Sequence, residues 1–293
     1  SATSSLARML ETHQDIYLGE QKEPHFFSKD RKYEKGLALY SSYYPQYQGQ
    51  AFSLDASQSY LPLPFVPGRI ARMCGRDIHI IVSLRNPIDR VVSAFSHYKM
   101  RRRGEVRTIT ELVPEPTRLA TLADLLAYER QAVSSGLASG RLGSRNATFS
   151  KHCFPFNYFY VGCYSVHISN WLEVFPHTSF LFMTFEEVTE EQENTVRRAA
   201  EFLGIDPDDF DTNRYFHKNP SSEYRSEVFK TLLPLGSLLG RVLPSRAFQK
   251  VRHLARTFLK RRPRYEFDEE TRWELIRLFR PEIQRVEELT RLD

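Results

Sequence analysis

An α/β fold, with a central parallel sheet covered by helices on both faces and a helical C-terminal third, is what this 293-residue sequence predicts. Three observations carry that expectation. Short, β-branched apolar runs alternate with segments of helical spacing. The turns between them hold helix-start residues such as Asn, Pro and Thr. The last stretch, ending in DEETRWELIRLFRPEIQRVEEL, keeps a helical period throughout. With neither an internal repeat nor a low-complexity linker, the whole of 1–293 reads as a single domain. A hydrophobic content of 41% and an aromatic content of 13% supply a sizeable core and exclude global disorder.

In chain order, SSLARMLETH (4–13) reads as a helix entered from a small-residue turn. DIHIIVSL (77–84) has the pattern of a buried parallel strand, and RNPIDRVVSAFSHYK follows it directly. There Asn86 suits a cap, Pro87 the first helical position and Asp89 the first turn. Ile88, Val91, Val92, Phe95 and Tyr98 then recur at helical spacing. The segment 101–150 is polar, Arg-rich and dotted with Gly and Ser, and holds one helix at TLADLLAYERQA; it reads as a lid or insertion over the sheet's functional edge. A helix is expected over 164–175 and a strand over 178–186. Thr189 and Gln192 form a capping-box pattern for a helix that stops at Gly204.

Lys and Arg exceed Asp and Glu by five, and the isoelectric point is near 9.0, which favours an anionic partner. No stretch reaches the ~18–20 apolar residues of a membrane span, and any secretory signal or anchor is expected outside this chain. Of the 3 cysteines, Cys153 and Cys163 could form a disulfide or stay as buried thiols. No Cys/His spacing suits a metal, so no metal site is expected. The sequon at Asn146 suits a Golgi lumen if the source is eukaryotic, and the odd cysteine count suits a bacterial cytoplasm as well.

Open parallel sheets bind ligands beyond the carboxyl ends of their strands. Arg85 and the helix start after it form an anion-ready turn at such an end, with Arg90 and Ser93 further along the helix. SATSSL is a second such turn, with hydroxyls at Ser1, Thr3, Ser4 and Ser5, and small residues let its backbone approach a phosphate. QKEPHFF (21–27) sets three titratable side chains against two phenylalanines. It is either a strand end with a solvated rim or a place where a proton is moved. RAFQKVRHLARTFLKRRPR (246–264) carries eight Lys/Arg and no acid, with an apolar face at helical spacing. It reads as a solvated helix on the core, a contact for acidic polysaccharide, or a membrane-surface contact. RRR at 101–103 adds to such a surface. Nucleic acid is not expected, because no DNA- or RNA-binding module is evident.

Taken together, these segments resemble the sulfotransferases that use 3′-phosphoadenosine 5′-phosphosulfate (PAPS), nearest the carbohydrate and bacterial-type branch. SATSSLARMLETHQDI matches the family's first signature from its second position, with Gln14 where the family has proline. Lys22, Glu23, His25, Phe26 and Phe27 match the next motif, and DASQSY (55–60) the one after it. LRNPIDRVVSAFSH meets the second cofactor signature in full. VGCYSVHISNWLEVFPHTSFLFMTFEEV and HKNPSSEYRS match later stretches.

The resemblance implies a P-loop-NTPase-like three-layer fold, with the family's lysine and first strand expected upstream of Ser1. It implies sulfuryl transfer from PAPS to an acceptor hydroxyl, leaving 3′-phosphoadenosine 5′-phosphate (PAP), without a metal. Arg85 and Ser93 would hold the 3′-phosphate, with Arg90 assisting or holding the helix. Ser1, Ala2, Thr3, Ser4 and Ser5 would hold the 5′-phosphosulfate, and Lys218, Ser221 and Arg225 would close over the cofactor. Glu23 becomes the general base, its pKa lifted by burial near Phe26 and Phe27, which dry the site. Lys22 meets the developing charge, and His25 is an alternative base or an orienting group. Asp55 and Ser57 are expected near the acceptor, a carbohydrate or other alcohol. Tyr164 packs near the cofactor or in the core. A small-molecule kinase and an inactive polysaccharide-binding module of the same fold are the rival readings.

Overall fold

The computed structural model describes residues 2–100, 105–115, 119–139, 156–211, 223–224, 260–261 and 265–292. Strand β1 (Ile16–Leu18) runs parallel to β2 (Phe52–Leu54), with Ile16 opposite Phe52 and Leu18 opposite Leu54. Strand β3 (Ile80–Leu84) runs parallel to β4 (Phe180–Thr184), in register from Ile80–Phe180 to Leu84–Thr184. The expected parallel pairing is therefore present. Among the described residues it comes as two separate pairs rather than one continuous sheet. A shared apolar cluster joins them: Phe52 and Leu54 from β1's partner strand meet Ile81, Leu181 and Met183 of the second pair.

Helix α1 (Thr3–Leu10) starts where the small-residue turn predicts but ends earlier than expected. The short helices α2 (Asp30–Tyr33) and α3 (Gly36–Ser41) lead to α4 (Val66–Cys74). Helix α5 (Pro87–Met100) begins as its sequence requires. The Asn86 side-chain oxygen accepts the amides of Ile88 at 3.0 Å and Asp89 at 3.4 Å, and Ile88, Val91 and Phe95 are fully buried. Helix α6 (Leu122–Ala138) starts on a Thr121–Asp124 capping box, and α7 spans Tyr164–Leu172.

The expected box at Thr189 and Gln192 is not formed. The reciprocal box lies at Thr184 and Glu187 and opens α8 (Phe185–Glu190), while Thr189 donates its hydroxyl to the Phe185 carbonyl. Helix α9 (Gln192–Leu203) then ends on Gly204 at φ 69°, as predicted. Helix α10 (Glu269–Thr290) is capped by Asp268 and packs on α5 and α7, where Glu282 accepts both the Ser165 amide and hydroxyl at 2.7 Å.

Residues expected to form a lid contribute Ile109, Leu112, Val113, Leu119, Leu125 and Val133 to the largest core cluster. The described part of that segment is thus core packing. Within the basic stretch, Lys260–Arg261 form a two-residue strand, β6, antiparallel to β5 (Glu223–Tyr224), so a helix does not run through all of 246–264. The rest of that stretch, like Arg101–Arg103, lies outside the described residues. Cys163 is a buried free thiol, and Cys153 lies outside the described residues. Among the described residues no helix is long and apolar enough to cross a membrane.

Candidate active site

Each strand of the two parallel pairs hands over, at its carboxyl end, to a segment singled out by sequence. β1 leads into Lys22–Phe27, β2 into Asp55–Tyr60, β3 into Arg85, and β4 into Phe185, on which Arg85 rests.

The centre of the first group is Lys22. Its Nζ donates to Ser4 Oγ at 2.7 Å and pairs with Glu23 Oε1 at 2.6 Å. A segment after β1 is thereby tied to the first turn of α1, where the helix dipole is positive and the Ser5 amide is already taken by the Ala2 carbonyl at 2.9 Å. Glu23 Oε2 faces His25 Nε2 at 3.4 Å and accepts from Gln58 Nε2 at 3.5 Å. Lys22, Glu23 and His25 are 27%, 22% and 22% exposed at their side chains, so an incoming molecule can reach them.

The expected upward shift of Glu23 is not found. Burial works to raise its pKa, but hydrogen bonds from His25 and Lys22, together with their charges, outweigh it and hold the carboxyl at about 2. Nor do Phe26 and Phe27 dry the site. Both are buried, stack edge-on at 5.0 Å and pack against Tyr33 and Tyr40, so they anchor the segment in the core. The segment is a loop, not a strand end.

That loop needs support, because His25 adopts φ 50°, a left-handed conformation that costs a non-glycine residue about 1–3 kcal/mol. The support comes from DASQSY. The His25 amide donates to Ser57 Oγ at 2.9 Å, and the Ala56 amide to the Lys22 carbonyl at 3.1 Å. Tyr60 accepts the Phe26 amide at 3.0 Å while donating to Asp55 Oδ2 at 2.7 Å. Burial, chiefly, pushes the Asp55 carboxyl up against the pull of its hydrogen bonds. Asp55 and Ser57 brace the loop that carries Glu23. Ser59, Gln58, Ser28 and Tyr60 belong to this network too, and sequence reading did not single them out. The Ser-x-Ser alternation inside DASQSY was the available signal.

At the second position, the Arg85 guanidinium lies 4.3 Å above the Phe185 ring, and its Nε–H is buried without a partner among the described residues. A buried, unsatisfied cationic donor at a strand's carboxyl end fits a phosphate oxygen. The helix-start amides expected to share this task are not free, because Asn86 takes those of Ile88 and Asp89. Ser93 is exposed on α5. Arg90 donates to the Tyr158 carbonyl and so holds neighbouring chain in place, while its Nε–H, like that of Arg85, is buried without a partner among the described residues. Tyr164 is core packing. The two positions are linked through α8, which carries Phe185 and packs against α1. Ser1, Lys218, Ser221 and Arg225 lie outside the described residues. The donors that are in place, Ser4, Thr3, Lys22 and Arg85, fit a ligand with two separated anionic groups.

Comparison with known proteins gives the same direction. A family profile described as the sulfotransferase domain matches residues 1–230. Human heparan sulfate glucosamine 3-O-sulfotransferase 3B1 is 26% identical over 254 residues, which cover 86% of this chain and 56% of that protein. Human heparan sulfate glucosamine 3-O-sulfotransferase 6 is 29% identical over 216 residues, 73% of this chain and 52% of that protein. The chain spans about half the length of the curated relatives it matches. The crystal structure of a sulfotransferase from Alicyclobacillus acidocaldarius aligns with a TM-score of 0.62 at 23% identity, covering 99% of this chain and 92% of that one, a likeness of fold.

Proposed function

The chain belongs to the sulfotransferase family, and from that premise we propose that it moves the sulfuryl group of PAPS to a carbohydrate hydroxyl. The observation that carries this reading is the Lys22 bridge between Ser4 and Glu23, which unites an anion-holding helix start with a carboxylate. PAPS supplies an activated sulfuryl group with a phosphate as its leaving group. Thr3, Ser4 and the first amides of α1 hold the 5′ end, and Arg85 holds the 3′-phosphate. Glu23 takes the acceptor's proton.

The low resting pKa of Glu23 fits this role. An anion at Ser4 draws the Lys22 ammonium off the carboxylate, and with the lysine's share of the hold gone, the basicity of Glu23 rises. The names of the relatives make a glucosamine-bearing acidic polysaccharide the acceptor class to propose. The eight Lys/Arg within 246–264 supply matching charge for it.

Calorimetric titration with PAP tests the donor site. Wild type should bind, and Arg85→Ala should bind roughly 10- to 100-fold more weakly, as expected for loss of one charge-assisted contact. No binding to wild type, or equal binding by Arg85→Ala, would overturn the assignment.

A further inference from the structure

His25 sits beside Glu23, and the hydroxyls around its ring determine which of its nitrogens carries a proton. The chain of donors starts at Ser28, whose only hydroxyl proton goes to the His25 carbonyl at 3.2 Å. Ser28 Oγ must therefore accept from Ser59, 3.0 Å away, and that uses the Ser59 proton. Ser59 Oγ also lies 2.8 Å from His25 Nδ1. With its proton already committed, it can only accept there, so Nδ1 is the donor. Ser28 and Ser59 are 4% and 7% exposed, which leaves water little chance to reorder the chain. The His25 backbone is fixed as well, by Ser57 at its amide and by the left-handed φ.

We propose that Ser59, set by Ser28, is a positioning residue that keeps a proton on His25 Nδ1 and leaves Nε2, the atom facing Glu23, as the ring's exchangeable site. This rests on the reading of Glu23 as the base. In the transfer the acceptor O–H bond breaks, and its proton passes to Glu23 Oε2, which then donates to the bare Nε2 of the neutral ring. The acceptor oxygen bonds to sulfur. The bond from sulfur to the 5′-phosphate oxygen breaks, and its electron pair leaves with the phosphate.

The test pairs nitrogen-15 NMR of labelled histidine with steady-state sulfuryl transfer from PAPS. In wild type, the neutral His25 ring should carry its proton on Nδ1. Ser28→Ala frees the Ser59 hydroxyl to donate to Nδ1 and should move the neutral ring toward the Nε2–H form. Ser59→Ala should do the same and lower kcat by at least about tenfold with the KM for PAPS unchanged, since positioning of a proton-transfer group acts on the chemical step. Ser59→Thr, which keeps the hydroxyl, should restore both signals. A bare Nδ1 in wild type would overturn the proposal, as would a Ser59→Ala protein with unchanged spectra and kcat. If wild type proves inactive, the enzyme reading fails, and the NMR series still decides the tautomer assignment.

Discussion

Two carboxylates in this molecule, Glu23 and Glu129, are shifted in opposite directions, and their partners differ in kind. Glu23, in the loop after β1, is held at about 2 by neighbouring His25 and Lys22 against the effect of burial. Glu129, on α6, is pushed up to about 7, chiefly by burial, although it accepts the Phe159 amide at 2.8 Å and the Tyr160 amide at 3.0 Å. Beside it the buried Glu105 takes a fork of bonds from Arg107 and one from Tyr158 at 2.8 Å. The partners of Glu129 are backbone groups fixed by the fold. Those of Glu23 are half-exposed side chains that a ligand can draw away. A search for a raised carboxylate would select Glu129, which ties the 159–160 turn to α6 and faces the core, and Asp55, which braces the loop beneath Glu23. The group able to change state on binding is the one whose resting pKa is low.

Substitutions can break this comparison, beginning with the largest effect. Glu23→Gln should reduce sulfuryl transfer by about 10²–10⁴-fold while PAP binding and stability stay near wild type, measured by labelled transfer and calorimetry. For Glu129 the sign follows from its folded pKa lying above the ordinary 4.5. Between those values the folded state binds the proton that the unfolded state has released, so stability falls as pH rises from 4.5 to about 7. That loss should be about 3 kcal/mol, and denaturant unfolding of Glu129→Gln should show it abolished.

Tyr60→Phe sharpens the claim that DASQSY supports the loop. It strands the buried Phe26 amide and removes a donor from Asp55, and should cost about 1–3 kcal/mol in chemical unfolding. The smallest effect belongs to Glu23 itself as a source of stability. Its folded pKa lies below the unfolded value, so its contribution is present above pH 4.5 and lost as pH falls toward 2. Solvent screening of this half-exposed pair limits it to about 1 kcal/mol, readable as the difference between wild type and Glu23→Gln in acid unfolding.

Much of this was legible in the sequence where one chemical rule acts locally. Asn86, Pro87 and Asp89 announced α5, and Gly204 announced the end of α9, because capping depends on a few adjacent residues. The strands β1 and β2 escaped, since three residues each are too short to show a period. The box at Thr184–Glu187 was displaced from its expected place because two Thr-x-x-acid/amide patterns lie five residues apart and tertiary packing chose between them. In the site, Lys22, Glu23 and His25 came together as expected, and Arg85 took its place at a strand end. The direction of the Glu23 shift was not legible. It depends on Lys22 and His25 both folding back onto one carboxylate, which residue spacing does not specify. The role of Asp55 was hidden for the same reason, as its partner Tyr60 reaches it across a turn.

On the proposed reading Glu23 performs the chemistry and Glu129 holds the fold. The most direct test is transfer of labelled sulfate from saturating PAPS to a glucosamine-bearing polysaccharide by Glu23→Gln and Glu129→Gln proteins. Glu23→Gln should bind PAP and fail to transfer, while Glu129→Gln should transfer at close to the wild-type rate. Transfer by Glu23→Gln with loss in a folded Glu129→Gln protein would contradict it.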